Sequence, residues 1–319
     1  MWFGLSVHQV VPEGYGNLVM SDKSQKNIIL LAGPTASGKS SLALQWAREQ
    51  DGEIVNADSM QVYAELRDLT ARPSEEEERL CPHHLYGVLS GDDPCSAERW
   101  RQMALPVIEE IWSRGKLAIV VGGTGLYFKT LLEGLSPVPE IDPAIRERVR
   151  TEVADEGPEA AWEKLKELDP DWADRISPMD GQRIARGLEV MRSTGKPLSY
   201  WQQQPGQGGL AARADVQIEK YVLERDREDL YARCDLRFRQ MIEQGRALEE
   251  VEALMACGYD PELPVMKSLG VPPLIKYLEG EISLEEATEQ SQTQTRQFAK
   301  RQMTWFRNQC ADWNLIKMK

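Results

Sequence analysis

Gly33-Pro34-Thr35-Ala36-Ser37-Gly38-Lys39-Ser40 (GPTASGKS) is the stretch on which the fold reading turns. It fits G-x-x-x-x-G-K-[ST], a loop whose glycines let backbone N–H groups turn inward around an anion. Context decides whether such a match means anything. Before it runs NIILLA (Asn27 to Ala32), a short apolar run that reads as a buried strand, and after it SLALQWAREQ carries apolar residues at helical spacing. Strand, phosphate loop and helix in that order place the anion on the helix N-terminus. Lys39 is then the residue to reach a terminal phosphate, and Ser40 the hydroxyl for a Mg²⁺ ion.

Working outward, Glu53 to Ala57 (EIVNA) and Lys116 to Val121 (KLAIVV) read as further strands, with a helix over Ala97 to Arg114 that Pro106 can kink. Strands alternating with helices predict a parallel α/β sheet covered on both faces. The prolines of SPVPEIDP (Ser136 to Pro143) end this pattern, and a helical, acid-rich stretch follows. The predicted organisation is a leader over 1–26, a first part of the P-loop core over 27–138, a mainly helical insertion over 139–205, and the rest of the core over 206–319. Lys220 to Leu223 is expected to return to the sheet. Two helical segments, Glu228 to Cys257 and Leu284 to Asn308, are expected to finish the chain. The first 26 residues lack a charged segment ahead of an apolar one, so no signal peptide is read there; initiation at Met20 is expected.

Composition narrows the chemistry. The 319 residues carry a net charge of −13, which alone argues against general nucleic-acid binding. The distribution does not. Between Ser291 and Lys319 six basic residues face one acid, a local balance of +5, while Glu140 to Asp180 holds 13 acids and 6 bases. Five scattered cysteines without a C-x-x-C pair, and three histidines, make a zinc site unlooked for and suit a reducing cytoplasm. No stretch is long and apolar enough for a membrane span.

Two further loops sit where strands end. Asp58, in NADSMQVY, follows the second strand, where ligands of open parallel sheets bind. It can take a nucleophile's proton or cap a helix N-terminus, and the residues alone support both. GGTGLYFK (Gly122 to Lys129) follows the third strand, so Thr124 offers a hydroxyl at the same rim, or simply belongs to a strand-to-helix turn.

The motifs GPTASGKS, DSMQVY, TARP, PHHL and GGTGLYFKTLLEG come in this order, followed by DGQRIARGLEV (Asp180 to Val190), DREDLYARCDLRFRQM (Asp226 to Met241) and TRQFAKRQMTWFRN (Thr295 to Asn308). The series closely resembles the tRNA dimethylallyltransferases over nearly everything from Ile28 to Asn308. The resemblance implies transfer of a dimethylallyl group from dimethylallyl diphosphate to N6 of adenosine 37 in tRNAs reading codons that begin with U. It implies a monomer with a helical insertion gripping the anticodon stem-loop. Asp58 becomes the base for the exocyclic amine, and Thr124 a hydrogen-bonding partner near it. The leaving diphosphate falls to the loop Gly33 to Ser40, a Ser40-bound Mg²⁺ and Arg227. Contacts to tRNA fall on Asp58, Ser59, Met60, Gln61 and Thr124, on Gln182, Arg183, Ile184, Ala185 and Arg186, and on Arg296, Lys300 and Arg301. Arg296, Lys300 and Arg307 form one helical stripe. Departures from the family pattern are Leu69 and Arg72, where glycine and lysine are usual, and Val271, where the family carries an aromatic.

Competing readings are a P-loop small-molecule kinase, an adenylate isopentenyltransferase acting on free AMP or ATP, and a non-enzymatic RNA-binding protein. The kinase leaves the insertion and the basic C-terminal helix without purpose. The relict reading is opposed by intact Lys39, Ser40 and Asp58.

Overall fold

The structure is a computed structural model that describes residues 26–318. The expectations about the leader therefore lie outside the described residues, except that Lys26 opens the first strand. The chain divides into two compact units, one running up to Leu131 and again from Arg213 onward, the other spanning Leu132–Ala212.

The first unit opens with β1 (Lys26–Ala32), whose residues Ile28 to Ala32 are at most 1% exposed. Burial on both faces explains why the strand reads as an uninterrupted apolar run. Each fully buried Ile or Leu there contributes about 1.5–3 kcal/mol. There follow α1 (Lys39–Glu49), β2 (Gly52–Asn56), α2 (Glu75–Leu80), β3 (His83–His84), α3 (Ala97–Ser113), β4 (Leu117–Gly122) and α4 (Gly125–Glu133). Helix α3 runs unbroken through Pro106, which forgoes one backbone hydrogen bond. Its Trp100 is fully buried and donates from Nε1 to Asn56 O at 2.7 Å.

The second unit starts with β5 (Gly134–Leu135) and continues through α5 (Pro143–Glu156), α6 (Pro158–Leu168), α7 (Pro170–Ala173), α8 (Gly181–Thr194) and α9 (Leu198–Gln202) to β6 (Gln207–Gly208). Proline stands at the first helical position of α5, α6 and α7, where its missing N–H costs nothing. Asp142, Asp169 and Asp180 accept backbone N–H bonds at the starts of α5, α7 and α8. Val149, Ala161, Leu165, Ile184 and Leu188 form the unit's core, and β5 and β6 pair antiparallel at its ends.

The chain then re-enters the sheet as β7 (Val216–Arg225) and ends with α10 (Arg227–Glu243), α11 (Arg246–Ala256), α12 (Val271–Leu278), α13 (Leu284–Gln309) and β8 (Asn314–Met318). The six strands lie in the order β3-β2-β4-β1-β7-β8, all pairs parallel. The fold is thus the expected α/β sheet flanked by helices. The helical segment expected over 228–257 consists of two helices, parted at Gly245, whose φ of 76° sits in the left-handed region. Helix α13 begins with a reciprocal cap, Ser283 and Glu286 each bonding the other's backbone.

Candidate active site

Strand ends come together at one edge. Ala32 of β1 pairs with Gly122 of β4 and Val222 of β7, while Asn56 of β2 pairs with Val121. Three loops leave that edge: Gly33 to Gly38, the turn after Asn56, and the Gly122-Gly123-Thr124 turn.

The first loop closes with Gly38 at φ 97°, a value that strains any residue with a Cβ, and α1 starts there with no side-chain cap. The first-turn N–H groups of α1 thus face outward beside a positive helix end, the arrangement an anion takes up. Arginines hold the loop's oxygens from behind. Arg225 Nε donates to Ser37 O at 3.4 Å, Arg233 Nε to Ala36 O at 3.0 Å, and Arg237 Nη2 to Thr35 Oγ1 at 2.5 Å. None of these three, from β7 and α10, is singled out by the sequence; Arg233 and Arg237 fall within the DREDLYARCDLRFRQM block, and Arg225 stands just before it. Arg227, which was singled out, donates to the Tyr231 hydroxyl at 3.2 Å. It lines, with Pro34, a cavity of about 520 Å³ bounded by the last residues of β7 and β8 and by the end of α13.

Asp58 is placed by its neighbour two residues back. The fully buried Asn56 accepts from Asp58 N at 2.8 Å and donates to Asp58 O and Leu85 O, both at 3.0 Å. Asp58 Oδ1 in turn accepts from Met60 N at 3.0 Å, closing a local turn. No helix starts here, so the helix-cap reading of Asp58 is set aside. Gly122 is obligatory, since a Cβ there would stand 2.1 Å from Ala57 O. That close approach carries Thr124 to the Asp58 loop: Thr124 Oγ1 accepts from Ser59 N at 2.9 Å and donates to Ser59 Oγ at 3.3 Å.

Charge ties the two loops into one site. Burial pulls the Lys39 ammonium down to about 8, against the pull of the Asp58 carboxylate and with the push of Arg237. Burial also lowers Arg237 and raises Tyr86, each of which feels the Asp58 charge. Gln302 of α13 completes the link, accepting from Thr35 N at 2.8 Å and donating to Gly123 O at 2.9 Å.

Of the residues expected at tRNA, Asp58, Ser59, Met60 and Thr124 lie on this rim, half-buried. Gln61 Nε2 is engaged within its own loop, donating to Thr70 O and Ala71 O. Gln182, Arg183 and Arg186 belong to the Leu132–Ala212 unit, on α8, with Gln182 and Arg183 exposed. Two residues of that helix face inward. Ile184 and Ala185 are buried, 0% and 6% exposed, in the unit's own core, because every third or fourth position of an amphipathic helix faces inward. Their side chains are spent on packing inside the unit. Arg296 is engaged too, bonding Asp235 Oδ1 of α10 at 2.6 Å and Thr293 Oγ1 at 2.8 Å, whereas Lys300, Arg301 and Arg307 are exposed. Arg72 donates to Tyr63 O and Ala64 O, both at 3.3 Å, so a cation at this position braces the loop after Tyr63. Leu69 packs where a Cβ on Gly270 would lie, and Val271 is fully buried in the first turn of α12.

A magnesium ion fits the donor set in one way only. Among the described residues no three His, Cys, Asp or Glu side chains gather as a cation site. Ser40 is an exposed hard-oxygen donor at the start of α1, and Ser37 Oγ is buried in the loop without a partner. An ion held by Ser40 would draw its remaining ligands from substrate phosphate and water, as Mg²⁺ prefers.

A phosphate loop at the carboxyl edge of a parallel sheet, with a carboxylate beside its lysine, defines a P-loop enzyme that handles a phosphorylated substrate. A family model described as IPP transferase matches residues 61–309, and one described as isopentenyl transferase matches residues 26–81. The tRNA dimethylallyltransferase of Parvibaculum lavamentivorans is 54% identical over 285 residues, 89% of each chain. That of Chelativorans sp. is 50% identical over 289 residues, 90% of this chain and 98% of the other. Among solved structures, a eukaryotic dimethylallyltransferase acting on tRNA superposes with a TM-score of 0.76 at 29% identity, over 92% of this chain and 74% of that one. The tRNA isopentenylpyrophosphate transferase of Bacillus halodurans superposes with a TM-score of 0.65 at 31% identity, over 92% and 90%. The chain belongs to the tRNA dimethylallyltransferase family and is a prenyltransferase that modifies tRNA.

Proposed function

We propose that the chain transfers the dimethylallyl group of dimethylallyl diphosphate to N6 of adenosine 37 in tRNAs reading codons that begin with U. The C–N6 bond forms as the bond from the allylic carbon to the diphosphate oxygen breaks. An adenine amine is a poor nucleophile, because its lone pair is delocalised into the ring. Asp58, with its backbone fixed by Asn56, accepts the N6 proton as the bond forms. Thr124 holds Ser59 and so shapes the rim on which the base is presented. The departing diphosphate develops negative charge, which the N–H groups at the start of α1 and the Lys39 ammonium offset. A Mg²⁺ ion held by Ser40 would supply further positive charge to the diphosphate oxygens. Adenosine 37 leaves its stack to reach this rim. Arg183 and Arg186 of α8, and Lys300, Arg301 and Arg307 of α13, contact tRNA phosphates. The protein works as a cytoplasmic monomer; among the described residues no helix is long and apolar enough to cross a membrane.

What carries the reading is the placement of a turn-fixed carboxylate, Asp58, within electrostatic reach of the phosphate-loop lysine. The test incubates purified protein, Mg²⁺ and dimethylallyl diphosphate with unmodified tRNA bearing A36-A37-A38, followed by mass analysis of the digested nucleosides. Prenylated adenosine is expected from tRNA, lost in Asp58→Ala, and absent when free AMP replaces tRNA. Prenylated AMP with unmodified tRNA would assign the chain to adenylate prenylation instead. If neither is prenylated, a separate assay with added ATP follows, and nucleotide hydrolysis there would restore the kinase reading.

A further inference from the structure

Helix α13 sends one uncharged polar side chain into the site. Gln302 is 5% exposed and stands 267 residues from Thr35 and 179 from Gly123 in sequence. Its amide is used at both ends: Oε1 accepts the Thr35 N–H of the phosphate loop at 2.8 Å, and Nε2 donates to the Gly123 carbonyl of the rim at 2.9 Å. A Cβ on Gly123 would lie 2.2 Å from Gln302 Nε2 and 3.4 Å from Asp58 Oδ2, so the amide and the carboxylate meet at that glycine. A leucine would fill this volume without desolvating an amide. The amide's distinct capability is to fix two loops in one register, because its two ends are set rigidly in a plane.

We propose that Gln302 is a positioning residue that sets the distance between the leaving-group loop and the proton acceptor. The inference rests on the reading that Asp58 and the phosphate loop serve one reaction. In an in-line displacement the acceptor amine, the allylic carbon and the leaving oxygen must align, and the protein fixes that alignment by fixing the two loops. A shift on the order of 1 Å between such groups lowers turnover by roughly 10²-fold.

Three variants of the full chain separate the ideas. Gln302→Leu removes both bonds, and its kcat at saturating substrates is expected to fall by roughly 10²-fold, with KM for tRNA little changed. Gln302→Glu keeps the acceptor for Thr35 N–H but turns a carboxylate oxygen toward Gly123 O. Protonation converts it into a donor again. Its kcat relative to wild type is therefore expected to rise as pH is lowered, a signature that a packing role would not produce. Asp58→Ala reports on the underlying reading. A folded Gln302→Leu protein with wild-type kcat, beside an inactive Asp58→Ala, overturns this proposal alone. If Gln302→Leu fails to fold, a Gln302→Glu to wild-type kcat ratio that is flat with pH overturns it equally. Full activity in Asp58→Ala removes the reading of the rim and the proposal with it.

Discussion

Around Asp58 the protein occupies its own polar groups. Asn56 uses its amide on the Asp58 backbone and on Leu85, Thr124 bonds Ser59, and Gln302 joins Thr35 to Gly123. On α8 and the last turns of α13, by contrast, Gln182, Arg183, Lys300, Arg301 and Arg307 stand in solvent. Under the proposed function the difference is one of job. A rim that must align three reacting atoms gains from being fixed before substrate arrives, since little reorganisation is left for the moment of reaction. A face that meets a charged polymer needs long side chains free to find phosphates, and its energy comes largely from counterion release. Substitutions at the rim should therefore act on kcat, and substitutions on the helix faces on KM and its salt dependence.

The sharpest way to break this contrast is at Asp58 itself. General-base groups supply about 10²–10⁴-fold in rate, so Asp58→Ala is expected to lose kcat by that factor in single-turnover prenylation while tRNA affinity stays near wild type. A loss confined to KM would move Asp58 to the binding side of the comparison. Next in size is Asn56→Leu. It leaves the carboxylate in place and removes the amide that orients it, and a kcat reduction of roughly 10²-fold is expected. Thermal unfolding measured in parallel separates misplacement from loss of fold.

How far each region could be read beforehand follows the same division. The phosphate loop, β1, β2, β4 and the α1 helix were legible because glycine spacing and apolar runs are local signals. Asp58 was legible as a position, and what separates it from a helix cap is that no helix follows it: its carboxylate takes the Met60 N–H in a local turn that Asn56 holds. Strand β3 has two residues, too few for any period, and β8 (NLIKM) is a short edge strand that shows no apolar run. Gln302 and the arginines 225, 233 and 237 were hidden for another reason. They act on partners far away in sequence, and in a charge-rich helix a residue that faces inward looks like those that face solvent. Ile184, Ala185 and Arg296 show the opposite limit, since a motif names a stretch and the helix turn decides which members of it are buried or paired within the protein.

Lys39 gives an effect of intermediate size with a definite sign. In the free protein its ammonium titrates at about 8, so below that pH the charge is present before an anion arrives. Above it, diphosphate binding must take up a proton, and affinity falls as pH rises, approaching tenfold per unit. Calorimetric titration with inorganic pyrophosphate between pH 7 and 9.5 checks this. Lys39→Arg serves as the reference, because its charge persists and the ligand's own ionisation is common to both proteins. Equal slopes for the two proteins would mean that Lys39 does not meet the diphosphate.

The smallest effects belong to α13, where two cations only four residues apart are expected to part company. Arg296 bonds Asp235 and Thr293, so Arg296→Ala leaves the Asp235 carboxylate without its ion pair at the α10–α13 contact. Lys300 is exposed on the same helix. Arg296→Ala is expected to lower the unfolding midpoint by about 2 °C, the shift that roughly 1 kcal/mol produces in a chain of this length. Its KM for tRNA, measured well below that midpoint, should hold. Lys300→Ala is expected to leave the midpoint alone and to raise KM a fewfold. It should also flatten the plot of log affinity against log salt by about 0.7–0.9, the loss of one phosphate contact. The same salt titration applied to Arg183→Ala asks whether α8 meets phosphate in the same way. An unchanged slope in Lys300→Ala would make that side chain a solvated charge and confine RNA contact on this helix to Arg301 and Arg307.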